Sequence, residues 1–165
     1  MATDPPVEVS VDTEGLDALV RALRAEEDGK ELRKELARNM RDALKPAVAD
    51  AKAAVMAVTA NSTASPALRA GVARKIRPEV KLGGKWSGAR VKAKKTPNIR
   101  GFANAAKRLQ QAAGWRTQSW GRGWRVQHGK VDWFDRAMQP VAPQARRAVL
   151  DAMESMARRI RSRAG

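Results

Sequence analysis

The order of patterns along this chain predicts an α+β fold: a small antiparallel β-sheet packed by a long kinked helix and a C-terminal helix. Three observations predict it. A period-two segment opens the chain, a helical apolar stripe runs unbroken across residues 32–58, and a second stripe with an Arg-rich end closes the sequence. The 165 residues suit a single domain with one modest core, spanning residues 1–165.

VEVSV (7–11) alternates apolar and polar residues, as a half-buried strand does. Asp12 and Thr13 then stand where caps are expected for a short helix over 12–25, whose apolar positions are Leu16, Leu19, Val20 and Leu23. EEDGK (26–30) breaks that helix at Gly29. Leu32, Leu36, Met40, Leu44, Val48, Ala51, Val55 and Val58 follow at intervals of three or four, predicting a helix over 30–59. The stripe covers roughly 28 residues, about 42 Å at about 1.5 Å per residue. Pro46 lies inside it and removes one backbone donor, so a kink is expected there rather than an end.

NSTASP (61–66) reads as a loop. A basic, sheet-rich middle with loops is expected over 67–134. IRPEVKL (76–82) and ARVKAKK (89–95) read as two strands joined by GGKWSG (83–88), and Pro78 argues for an edge position or for a strand beginning there. FANAAKRLQQAAG (102–114) has helical propensity, with a Phe102, Ala106, Leu109, Ala113 stripe. GRG (121–123) reads as a turn between two short extended pieces. The closing helix is expected over 140–163, with Pro140 and Pro143 near its start. Its face is Ala145, Val149, Ala152, Met153, Met156 and Ile160, and its arginines suit the negative end of the helix dipole.

Charge is distributed unevenly. Residues 1–68 balance to −3 and residues 131–165 to +3, whereas residues 69–130 hold 17 Lys and Arg against one acid, Glu79. A compact segment of one sign points to a polyanion or an acidic protein surface, the plainer reading being a solvated basic face. There are no cysteines, which removes disulfides and thiolate chemistry and favours a reducing compartment. No apolar run approaches the roughly 20 residues that span a bilayer, and the acidic start lacks the form of a signal peptide. These features lead us to expect a soluble protein made in a cytoplasm, with no membrane partner.

Motifs of catalysis are wanting. The single histidine, His128, sits in QHGK and reads as a polar turn residue rather than a general base or metal ligand. GGKWSG lacks the spacing of a phosphate cradle, and Ser62, Ser65, Ser87 and Ser119 lack a nucleophile-elbow context. No enzyme, cofactor or metal site is expected.

Four of the five tryptophans fall within residues 115–134. Lys81, Lys85, Arg90, Lys92, Lys94, Lys95 and Arg100 could follow a nucleic-acid backbone while Trp86, Trp115, Trp120 and Trp124 stack on bases. The spacing of Trp115, Trp120, Trp124 and Trp133 matches no RNA-recognition, OB-fold or zinc-finger signature. Tryptophan is also an ordinary core and interface residue. A small basic nucleic-acid-binding protein is therefore the alternative reading.

GWRTQSWGRGWRVQHGKVDWFDRAM (114–138) resembles the closing segment of a family of tailed-phage neck proteins: tail-component, tail-completion or head–tail joining proteins of actinobacterial phages and prophages. Gly114–Trp115–Arg116 resemble its opening. Trp120–Gly121 stand where Phe-Gly is usual, and Trp124–Arg125–Val126–Gln127 where "WV.Q" is, while Trp133–Phe134 supply an aromatic pair. The usual proline before Phe-Gly is replaced by Gln118–Ser119. VEVSVDTEGLDALVRAL and ASPALRAGVARKI (64–76) agree in order with the family's strand-then-helix start and its later loop.

The resemblance implies a non-enzymatic virion protein of the neck, made in the host cytoplasm. It implies a homo-oligomeric ring, sixfold (a hexamer), with head-completion or connector proteins above and tail terminator or tail tube proteins below. Segments 83–88 and 94–114 would protrude as hooks. The interface candidates are Trp86, Lys92, Lys94, Lys95, Arg100, Trp115, Trp120, Trp124, Trp133 and Phe134. Most of the basic charge is expected to face acidic neighbouring rings, with a minority making non-specific contact with genomic DNA in the channel.

Overall fold

The computed structural model describes residues 7–58, 66–99, 103–119, 123–127, 129–130 and 132–164. The fold is α+β, with a three-stranded antiparallel sheet, a two-stranded ribbon and helices that include a 28-residue α2 and a 23-residue α6. Two compact units are distinguished. The first comprises Met1–Glu8, Ala49–Arg77 and Lys92–Pro140, and the second Val9–Val48, Pro78–Val91 and Val141–Gly165.

Strand β1 (Val7–Val11) leads into α1 (Leu16–Ala25), whose Leu16, Leu19, Val20 and Leu23 are all buried. The expected cap is displaced. Gly15, not Asp12 or Thr13, is the N-cap, in the left-handed region at φ 84°. The Asp12 carboxylate instead accepts the backbone N–H of Glu14 at 3.1 Å. Gly29 ends the connection and begins α2 (Gly29–Met56), and a Cβ there would meet the backbone carbonyl of Leu23.

Helix α2 continues past Pro46, and every position of its predicted stripe from Leu32 to Val58 is buried. It has no basic residue in its own last turn. Arg69 of α3 (Pro66–Arg74) supplies that cation, donating from Nη1 to the carbonyls of Met56 at 2.6 Å and Val58 at 3.3 Å. A guanidinium on orphan helix carbonyls satisfies acceptors and meets the negative dipole end together. Residues 66–74 are thus helical where the sequence suggested the start of a sheet-rich region.

Strands β2 (Ile76–Leu82) and β3 (Ser87–Ala93) follow, in the order β1-β3-β2. Pro78 therefore sits on an edge strand, where a proline is tolerated because one side of the strand has no neighbour to bond. In the second unit α6 (Ala142–Ala164) buries Ala145, Val149, Met153 and Met156. Arg159 pairs with Glu35 at 2.7 Å and Arg163 with Asp28 at 2.9 Å, tying α6 to the start of α2.

Helix α4 (Ala105–Gln110) and helix α5 (Trp133–Met138) lie in the first unit, on either side of the ribbon in sequence. Helix α4 is shorter than the predicted stripe. Ala106 and Leu109 are buried, whereas Ala113 is exposed beyond the helix and Phe102 lies outside the described residues. The ribbon pairs β4 (Trp115–Ser119) with β5 (Gly123–Gln127), antiparallel from Trp115↔Gln127 to Ser119↔Gly123. Two extended pieces were expected here; Gly121 and Arg122 of their turn lie outside the described residues.

Candidate protein-docking site

The tryptophans divide into different environments. Trp133 is 2% exposed and Phe134 0%, with the two rings edge-on at 5.5 Å. The Trp133 indole donates to the Ala106 carbonyl at 3.1 Å, and Gln110 accepts the backbone N–H of Phe134 at 3.1 Å. Both rings are core of the first unit. This corrects their expectation as interface residues, because each is fully enclosed by its own chain.

Trp86 takes a second environment, in the β2–β3 connection of the second unit. The Arg90 guanidinium lies 4.0 Å from its ring centroid and the Lys81 ammonium 5.9 Å. Arg90 is held in turn by Glu79, donating from Nε at 3.2 Å and Nη2 at 3.1 Å, and Lys81 reaches the same carboxylate at 3.7 Å. The one acid of the basic middle therefore anchors a cation–π stack. Trp86 is half-buried rather than held out as a hook.

Trp124 stands in a third. It is 62% exposed, and Val126, two residues on and hence on the same ribbon face, is 55% exposed. Val126 pairs in register with Arg116, whose guanidinium carbon lies 5.9 Å from the Trp124 ring. Met56, Trp124 and Val126 are the exposed large apolar residues among those described. An exposed indole and valine with a cation beside them form an amphipathic patch, and a two-stranded ribbon alone is marginal without a covering surface.

Of the other candidates, Lys94 is exposed and Lys92 and Lys95 are half-buried, all at or just beyond the end of β3. Trp115 belongs to β4 through its backbone. Arg100, Trp120 and the turn histidine His128 lie outside the described residues. Within segment 94–114, expected to protrude as a hook, Thr96, Ala105, Ala106 and Leu109 are fully buried, and residues 100–102 lie outside the described residues. The Thr96 hydroxyl accepts the backbone N–H of Ala105 at 3.1 Å, fixing the start of α4.

The basic middle is thus partly committed inside the chain: Arg69 to helix carbonyls, Lys81 and Arg90 to Glu79. Among the described residues no cluster of His, Cys, Asp or Glu could hold a metal ion, and no helix is long and apolar enough to cross a membrane. Comparison with protein families, curated proteins and solved structures returned no match.

Proposed function

We propose that the chain is a structural protein of a tailed-phage neck, forming a ring that joins the head connector to the tail tube. The observation that carries the reading is the exposed Trp124–Val126 face with Arg116. It arises in the same segment, 114–138, that resembles the neck proteins. An exposed aromatic beside an aliphatic and an arginine is the composition of a protein–protein anchor. Acidic faces of the neighbouring rings, the connector above and the tail tube below, suit the remaining cations. The setting would be the virion, with the ring a hexamer.

The second reading, a nucleic-acid-binding protein, rests on the same Trp124 and Arg116, since an exposed indole beside a guanidinium can also stack on a base. Size-exclusion chromatography with light scattering, followed by a mobility shift at about physiological salt, separates the two. Assembly without DNA affinity supports the neck protein. A monomer that binds DNA tightly, with affinity falling steeply as salt rises, supports the alternative.

A further inference from the structure

The second unit carries a surface of opposite character to the ribbon. A groove of about 310 Å³ runs between α1 and α6, floored by Leu19, Leu150, Met153 and Ala157. Its charged lining residues are both acids, Glu14 and Glu154. Gly15 also lines it, and a Cβ there would meet nothing within 4 Å. The left-handed backbone there favours glycine, so this stretch of the lining is uncluttered.

We propose that the ribbon of one copy docks into the α1–α6 groove of a second copy. Trp124 and Val126 lie on the apolar floor, and Arg116 faces Glu14 and Glu154. The inference deepens the neck reading and rests on its ring, since it names the two surfaces through which copies meet. Charge complementarity selects the occupant. The ribbon and its flanks, residues 114–130, contain Arg116, Arg122, Arg125 and Lys130 and no acid, while the groove itself is lined by two acids and no cation. Arg146 and Arg147 line the adjoining hollow beyond Leu150 and Glu154, where Arg146 is paired with Asp12 at 2.9 Å. The same acids would repel a phosphate backbone. The two surfaces differ, so the contact is heterologous: every copy offers one ribbon and one groove. Such contacts propagate from copy to copy, and they close into a ring or continue as a filament according to the rotation between neighbours.

The absence of cysteine from the chain gives a direct test. A Val126→Cys chain is mixed with a Leu150→Cys chain under mild oxidation, after circular dichroism shows that both are folded. A mixed-disulfide dimer is expected, well above the yield from Val126→Cys with Lys45→Cys, whose thiol would lie on an exposed position of α2. Glu14→Lys/Glu154→Lys in the Leu150→Cys chain should reduce the yield at least fivefold, and Arg116→Glu in the Val126→Cys chain should restore it. A yield no greater than the control, or one indifferent to both charge reversals, overturns the interface. So does protection of the Val126→Cys thiol by single-stranded DNA without any effect of the groove variants. Light scattering keeps the two failures apart: oligomers that form without this cross-link overturn the interface and leave the ring standing.

Discussion

The Trp133 indole N–H meets the Ala106 carbonyl at 3.1 Å, across 27 residues of sequence and with both residues buried. That bond joins α5 to α4, and Gln110 repeats the connection by accepting from the backbone N–H of Phe134. Trp133→Phe removes the donor and leaves the Ala106 carbonyl buried without it. A loss of about 2–4 kcal/mol follows from the unmet acceptor and the smaller ring together. Urea unfolding followed by circular dichroism measures it, and an unchanged midpoint would contradict the placement of Trp133 in the core.

Glu79 predicts a second effect. Its carboxylate holds Arg90, whose side chain is 15% exposed, and Arg90 lies on Trp86. Glu79→Gln keeps the shape and removes the charge that the largely enclosed guanidinium meets at 3.1 Å. The expected cost is about 1–2 kcal/mol, less than for a fully buried pair because the carboxylate still touches solvent. Tryptophan fluorescence should change in the same variant, and the change should disappear when Trp86 is itself replaced by phenylalanine.

Asp28 gives a pH dependence. Its hydrogen bond from the Arg163 guanidinium lowers its carboxyl below the ordinary 3.8, and the Arg163 guanidinium is raised reciprocally by Asp28. A carboxyl lowered in the folded state binds its proton more readily when unfolded. Its contribution is therefore complete above the unfolded value and fades as pH falls through the folded one. Both groups are exposed, so the effect is small. The stability difference between wild type and Asp28→Asn should be present at pH 7 and vanish at pH values well below 3.8. A difference constant over that range would contradict the pair's role.

Lys92, Lys94 and Lys95 separate folding from assembly. A Lys92→Glu/Lys94→Glu/Lys95→Glu chain keeps the backbone bond from Lys94 N–H to the Lys75 carbonyl at 3.0 Å. It should fold, with stability within about 1 kcal/mol of wild type, and fail at virion joining. Loss of double-stranded DNA binding as the only phenotype would count against the neck reading.

Trp124→Ala should behave in the opposite way to Trp133→Phe. An indole 62% exposed contributes little to the fold, so stability should change by less than about 0.5 kcal/mol. Self-association should weaken about tenfold or more if the ring is a ring through this face. Analytical ultracentrifugation reads both the oligomer and the dissociation constant.

The contrast between Trp133 and Trp124 also marks how far sequence can be read. Burial of the α2 stripe was legible because one face of a long helix repeats at 3.6 residues, and the pattern from Leu32 to Val58 leaves little choice. The edge placement of Pro78 was one of the two readings its missing N–H allowed, the other being a strand that begins there. The two strands of the ribbon were visible too. The fates of its neighbouring tryptophans were not, since Trp133 is buried by α4, reached only through contacts 24–27 residues away. The cap at Gly15 was missed for a related reason: Asp12 and Thr13 carry the usual capping chemistry, and only the path of the backbone decides which residue caps. The cation–π stack on Trp86 had one signal in the sequence, the lone acid Glu79 among so many cations.

The most direct measurement is electron microscopy of particles produced by the genome that encodes this chain, with gold-conjugated antibody raised against residues 142–164. The account predicts gold at the junction of head and tail, in particles from wild type and not from a strain lacking the chain. Intact tailed particles that carry no label anywhere, with the chain recovered instead on nucleic acid, would contradict it.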